Sequence, residues 1–181
     1  HEVPYGVNTS KTKLIVTIHD LIFLRYPDFF PWVDRKVYLA KIKHACRFSD
    51  KIIAICQQTK EDLIYFLQVN PEKIEIAYQS CDPMFYERLP SSIIDERLRK
   101  YKISQNYFLF VGALDPRKNL LNLIEAYGHF GTSCNLVIVG NGPRHQELLS
   151  QKIQELNLEE NVKILNNVPI EDLPALYQGA F

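Results

Sequence analysis

Apolar and polar positions alternate along the chain in two successive sets of short strands and amphipathic helices. The first set has β-branched runs at residues 14–18, 51–55 and 74–78, each of strand length. Between them, residues 33–48 put Tyr38, Ile42, Ala45 and Cys46 on one helical face. Residues 57–67 turn Leu63, Phe66 and Leu67 inward before Asn70-Pro71 stops the helix. Residues 21–32 are aromatic, hold Pro27 and Pro31, and predict a loop packed on a core. Residues 82–92, with Pro83 and Pro90, show no period and predict a connection between domains. A short helix at 93–101 follows, with Ile94, Leu98 and Tyr101 in register. The second set has strands at 107–111, 135–139 and 162–165. Its helices are at 117–130, 143–157 and 170–178, the last with Leu173, Leu176 and Tyr177 as core. Strands alternating with helices imply parallel sheets with right-handed crossovers. The predicted division is residues 1–90, a connection at 91–104, and residues 105–181. A doubly wound domain usually takes ~100–150 residues, so each lobe is expected to be incomplete.

Composition narrows the function classes. The 181 residues carry 21 Lys and Arg against 21 Asp and Glu. A formal net charge of zero argues against a broad nucleic-acid footprint but leaves room for a local basic site. The four cysteines are scattered, with no CxxC or Cys/His cluster, so neither a metal nor a redox pair is expected. Scattered thiols suit a reducing compartment. No apolar run reaches the ~18 residues of a membrane span.

The densest chemistry lies in residues 108–127, FLFVGALDPRKNLLNLIEAY. A buried-strand run ends at Gly112, which lets the backbone turn. Asp115-Pro116 then gives an N-cap and a first helical residue, and Leu120, Leu123, Ile124 and Tyr127 give the helix its face. Arg117 and Lys118 are thereby expected in the first helical turn, beyond the carboxyl end of a strand. Free amides and the helix dipole favour an anion there, and two cations add to it. The pattern reads as a diphosphate site, or else as a solvated first turn. Gly140-Asn141-Gly142-Pro143 reads as a tight strand-to-helix turn, because the third glycine of a dinucleotide fingerprint is replaced by His145. His19, at the end of the first strand, can reach a cleft there, and an imidazole suits hydrogen bonding near neutral pH. Asp20 either orients it or satisfies the loop.

Four stretches, in order, resemble the group 1 glycosyltransferases, retaining nucleotide-sugar transferases with two Rossmann-like lobes in the GT-B architecture. They are VTIHDLIFLRYPDFF at 16–30, DKIIAICQQTKEDL at 50–63, VGALDPRKNLLNLIEAY at 111–127, and the pair VGNGP at 139–143 with NNVPIEDLPALYQGA at 166–180. The resemblance implies an α/β fold of two Rossmann-like lobes, each cut short. It implies transfer of a sugar from a nucleotide diphosphate-sugar to a glycan or lipid-linked acceptor with retention of configuration. Gly112, Arg117 and Lys118 would hold the donor diphosphate. Asn167 and Val168 would meet the nucleobase, and His19 would be catalytic, with no metal or cofactor. A cytoplasmic setting at the inner face of a membrane, with peripheral membrane contact and no nucleic acid, is implied as well. The family's glycine-rich loop would precede His1 and its Glu-bearing segment would follow Phe181, so the piece alone is expected to be inactive. Ala113 and Cys56 depart from the family pattern at positions where a basic or hydroxyl residue and a serine are common. Two other classes fit the same residues: a non-catalytic sugar-nucleotide binding module, and another GT-B enzyme such as a sugar-nucleotide epimerase.

Overall fold

The computed structural model describes residues 12–130 and 134–181, and the chain divides into two compact units after Ser80. In the first unit, β1 (Ile15–Ile18), β2 (Lys51–Ala54) and β3 (Ile74–Ile76) form a parallel sheet in that order. Val16 pairs with Ile52, and Ile52 with Ile74. These three residues are buried with Ile18, Ala54, Leu63, Leu21, Phe23 and Ile42 in one core. Helices α2 (Trp32–Phe48) and α3 (Gln57–Leu67) make the crossovers.

The segment expected as a loop at 21–32 is more ordered than that. It holds one helical turn, α1 (Ile22–Arg25), and a 3-10 turn at Pro27–Phe29. The Asp20 carboxylate accepts the Ile22 amide at 3.1 Å and so starts α1, and Pro27 opens the 3-10 turn. The stop of α3 also lies earlier than Asn70-Pro71. Gln68 is left-handed, with φ 55°, and the Gln68 and Val69 amides bond back to Ile64 and Leu63.

In the second unit, β4 (Phe108–Val111), β5 (Leu136–Val139) and β6 (Val162–Leu165) form a second parallel sheet, again in sequence order. All four residues of β5 are buried. Leu136 and Ile138 face the core built with α5 (Leu120–Phe130) and α6 (Pro143–Glu155). Val137 and Val139 face the opposite core, built with α4 (Ser91–Lys100) and α7 (Leu173–Gly179). Helices thus cover both faces, which is what a parallel sheet of near-continuous apolar strands requires.

The stretch expected as a connection at 91–104 is therefore partly core: Leu98 and Ile103 are buried in the second unit. Asp172 joins α4 to the start of α7. It is 1% exposed and accepts bonds from Arg97 at 2.8 Å, Lys100 at 2.6 Å and the Tyr101 hydroxyl. Tyr177, expected in the core, is instead half exposed, because α7 turns Ala175, Leu176 and Gly179 inward. Leu123 likewise lies at the exposed border of α5.

Candidate functional site

Three strand ends meet at the carboxyl edge of the second sheet. The β4 loop runs from Gly112 to Asn119, the β5 loop from Gly140 to Gly142, and the β6 loop begins at Asn166. Gly112 extends the ladder, its amide bonded to the Val139 carbonyl at 2.9 Å. A Cβ at Gly112 would meet only the Phe110 ring, at 3.2 Å, so the turn expected there does not depend on glycine. The critical glycines are the next two. A Cβ at Gly140 would lie 1.9 Å from the Gly112 carbonyl oxygen, and one at Gly142 would lie 2.3 Å from that of Leu114. No other residue lets the β5 loop approach the β4 loop this closely. The expected tight turn is present, and Pro143 opens α6 directly after it.

Arg117 and Lys118 sit one step earlier than expected. They belong to a 3-10 turn, Pro116–Lys118, and not to the first turn of α5. The cause is local. The Asp115 side chain accepts the Arg117 amide at 2.9 Å, and Asn119 then adopts a left-handed conformation, φ 57°. The Asn119 carbonyl accepts the Leu123 amide at 3.2 Å, so α5 starts afresh from Asn119.

The two cations also differ from each other. Arg117 grips Asp115 with two parallel bonds, Nε to Oδ1 at 2.9 Å and an Nη to Oδ2 at 3.1 Å. This pairing, opposed by burial, holds the Asp115 carboxyl below the ordinary carboxylate range. Lys118 is exposed, and among the described residues its side chain has no hydrogen bond or ion pair. The arrangement offers one braced guanidinium and one available ammonium at the head of an eleven-residue helix.

The β6 loop closes the other side. The Asn166 side-chain amide donates to the Gly140 carbonyl at 2.6 Å, and the Asn141 side chain accepts the Asn167 amide at 3.3 Å. Asn167 is left-handed, φ 52°, and Val168 is half-buried against the α4 and α7 core. His145, in the first turn of α6, is buried, and its Nε2 has no hydrogen-bond partner among the described residues.

In the first unit, His19 and Asp20 follow β1 at the carboxyl edge of its sheet. Thr59, 3% exposed in the first turn of α3, donates its hydroxyl to the His19 carbonyl at 2.9 Å. One turn on, buried Asp62 accepts from Gln58 at 3.0 Å and from two nitrogens of Arg25, at the end of α1. Helix α3 therefore pins both ends of residues 19–25. Cys56, where a serine is common, stands at the N-cap of α3 with its sulfur 3.3 Å from the Thr59 hydroxyl. Hydrogen bonding with the Thr59 side chain and backbone draws its thiol below the usual range. Neither Thr59 nor Asp62 stood out as a site residue in the sequence. The spacing T-x-x-D on a helix is visible, but partners about forty positions away are not.

Comparison with known proteins covers both units. The family model described as Glycosyl transferases group 1 matches residues 93–180, and that of Glycosyltransferase Family 4 matches residues 4–84. O-antigen chain mannosyltransferase B of Escherichia coli is 27% identical over 174 residues, 93% of this chain and 45% of the relative. A Campylobacter jejuni N-acetylgalactosaminyltransferase acting on a diphospho-undecaprenol substrate is 36% identical over 117 residues, 65% of this chain and 30% of the relative. Anabaena HepE, solved with UDP and glucose, has a TM-score of 0.72 at 24% identity, over 93% of this chain and 44% of that one. The glycosyltransferase WaaG of lipopolysaccharide biosynthesis has a TM-score of 0.63 at 19% identity, over 92% of this chain and 48% of that one. The chain thus spans less than half the length of each of these relatives. Two α/β units with parallel sheets, the second matched by the group 1 model and the first by the Family 4 model, support a group 1 glycosyltransferase fragment with the fold of its GT-B neighbours.

Proposed function

We propose that this chain supplies part of a retaining glycosyltransferase that moves a sugar from a nucleotide diphosphate donor to a glycan or lipid-linked acceptor, at the cytoplasmic face of a membrane. The observation that carries the reading is the carboxyl edge of β4, β5 and β6. There an ammonium with no partner among the described residues and a braced guanidinium stand on the loop after β4, and the loops after the three strands are held together by glycine contacts and asparagine bonds. A diphosphate fits that chemistry better than a neutral ligand would.

In this reading, Lys118 and Arg117 contact the donor diphosphate. Arg117 keeps Asp115 as its brace, so the guanidinium is positioned before the ligand arrives. As the bond to the sugar breaks, the leaving diphosphate gains negative charge. Cations fixed beforehand then stabilise the transition state more than the ground state. Gly112 brings the loop backbone to the phosphates, and Asn167 and Val168 border the nucleobase. His19 hydrogen-bonds the transferred sugar. The diphospho-undecaprenol relative supports a lipid-linked acceptor, and the UDP complex of HepE supports a nucleotide donor.

The test uses the full-length gene product. Lys118→Ala is expected to lower kcat by roughly 100-fold or more, the scale of losing one transition-state charge contact. His19→Ala is expected to lower it as well, and the product should keep the donor's anomeric configuration by NMR. Unchanged turnover in both variants, or an inverted product, contradicts the proposal. A wild-type protein that binds the donor without turning it over favours a binding module.

A further inference from the structure

One buried ring at the carboxyl edge of the second sheet is incompletely bonded. His145 is 7% exposed, and among the described residues its Nε2 has no hydrogen-bond partner. It shares the inward stripe of α6 with Leu149 and Ile153, one and two turns further on. Leaving a buried polar atom unpaired is costly. A position that needed only volume would be better served by another leucine.

The ring lies in the neighbourhood of the cationic turn. Leu114 and Leu120, which flank Asp115 to Asn119, are buried in one core with Leu149 and Ile153. The Leu114 amide donates to the Asn141 carbonyl at 3.0 Å, and the His145 amide to the Gly142 carbonyl at 3.1 Å. Gly142 lies so close that a Cβ there would stand 2.3 Å from the Leu114 carbonyl oxygen. The first turn of α6 is thus seated against the segment that carries Asp115. The bonds and charge of Arg117 do most to hold the Asp115 carboxyl down, and the charge of His145 adds to them. On the surrounding loops and turns, the other charged groups are Lys118 after β4, and Arg144 and Glu147 on α6 itself, all three exposed. Residues 140–142, 166–167 and 120–123 carry none, and further along Glu125 of α5 pairs with Lys152 of α6 at 3.5 Å.

We infer that His145 is a positioning residue that acts through its proton: an anion held at the Arg117–Lys118 turn draws a proton onto the His145 ring, and the imidazolium then balances Asp115, a role that rests on the diphosphate reading of this edge. Arg117 and Asp115 are joined by two parallel bonds, so the carboxylate offsets much of the guanidinium charge. A diphosphate draws on that same charge and brings more negative charge to the turn. Imidazole is the side chain that can respond, because it titrates close to neutrality and nearby anions favour its charged form. The imidazolium donates from both nitrogens, so Nε2 gains a use in the liganded state. Arg117 keeps its bonds to Asp115 and therefore its position. What changes is the cation that balances the carboxylate.

Inorganic pyrophosphate is titrated calorimetrically into the 181-residue chain and into His145→Gln, at about pH 6 and about pH 8, either side of the ordinary histidine value. The wild type is expected to bind about ten-fold tighter than the variant at the lower pH, and the two to converge at the higher, as a coupling of one pH unit requires. At about pH 7, buffers of different ionisation enthalpy count the protons taken up. Pyrophosphate's own titration is common to both proteins, so greater uptake by the wild type belongs to His145. NMR gives an answer without a variant. The His145 ring signals, among those of five histidines, should move toward imidazolium values as pyrophosphate is added. A ring that only fills space predicts equal proton uptake and an affinity ratio that does not vary with pH, and that result overturns the inference. Pyrophosphate binding with unmoved His145 signals overturns it too, and leaves the diphosphate site standing. No pyrophosphate binding by the wild type overturns the diphosphate reading and this role with it.

Discussion

The Thr59 hydroxyl reaches a carbonyl forty residues away, and the position of His19 depends on that bond. Thr59→Val keeps the shape of the side chain and leaves the His19 carbonyl without this donor. We expect a loss of about 1–2 kcal/mol in folding stability, measured by denaturant titration, with Thr59→Ser restoring most of it. Equal stability of the Val variant would mean that the bond contributes nothing. The two cations show the same dependence on surroundings. Arg117 and Lys118 are neighbours in sequence, yet one is held by Asp115 and the other has no partner among the described residues. Their charge was legible in the sequence; their difference was not. It arises from the short reach of Asp115 and the left-handed turn at Asn119, and asparagine only permits that turn.

Most elements could be read from their apolar period, and the exceptions share a cause. The runs at Lys51–Ala54, Phe108–Val111 and Val162–Leu165 are short, β-branched or aromatic, and bounded by turns, so tertiary packing agrees with local preference. Pro116–Lys118 could not be separated from α5 in this way, because Asp-Pro begins a 3-10 turn and an α-helix alike. Tyr177 sits at helical spacing from Leu173 yet faces outward, since Gly179 packs against Leu98 and fixes how α7 is turned.

The join of α4 to α7 through Asp172 was also invisible, as its partners lie over seventy residues away. Burial alone would push this carboxyl up, but bonds from Lys100 and Tyr101 and the charges of Lys100 and Arg97 hold it below the ordinary range. A carboxyl depressed on folding contributes stability that is present above its unfolded value, about 4, and is lost as pH falls through its folded value. Asp172→Asn is therefore expected to cost about 2 kcal/mol at neutral pH and progressively less in acid. Urea titrations at neutral and acidic pH check this. A cost independent of pH would contradict the ionic account.

On the scale of the whole chain, each of the two units has a three-stranded parallel sheet, and candidate residues follow strands at its carboxyl edge. In open α/β sheets ligands gather at that edge because helix N-termini and loop amides point there. His19 in the first unit, and Gly112, Arg117, Lys118 and Asn167 in the second, all follow the rule. The central claim is that the second edge is a diphosphate site, and calorimetry on this chain tests it most directly. UDP, uridine and inorganic pyrophosphate are titrated into the wild type and into Arg117→Ala and Lys118→Ala. Each substitution should weaken UDP and pyrophosphate binding by about ten-fold or more, the equivalent of one charge-assisted contact, and leave uridine unchanged. A merely solvated pair of cations near the start of α5 predicts no change in affinity, with stability equal or slightly raised. Equal affinities across the three proteins at unchanged melting temperature would contradict the donor site.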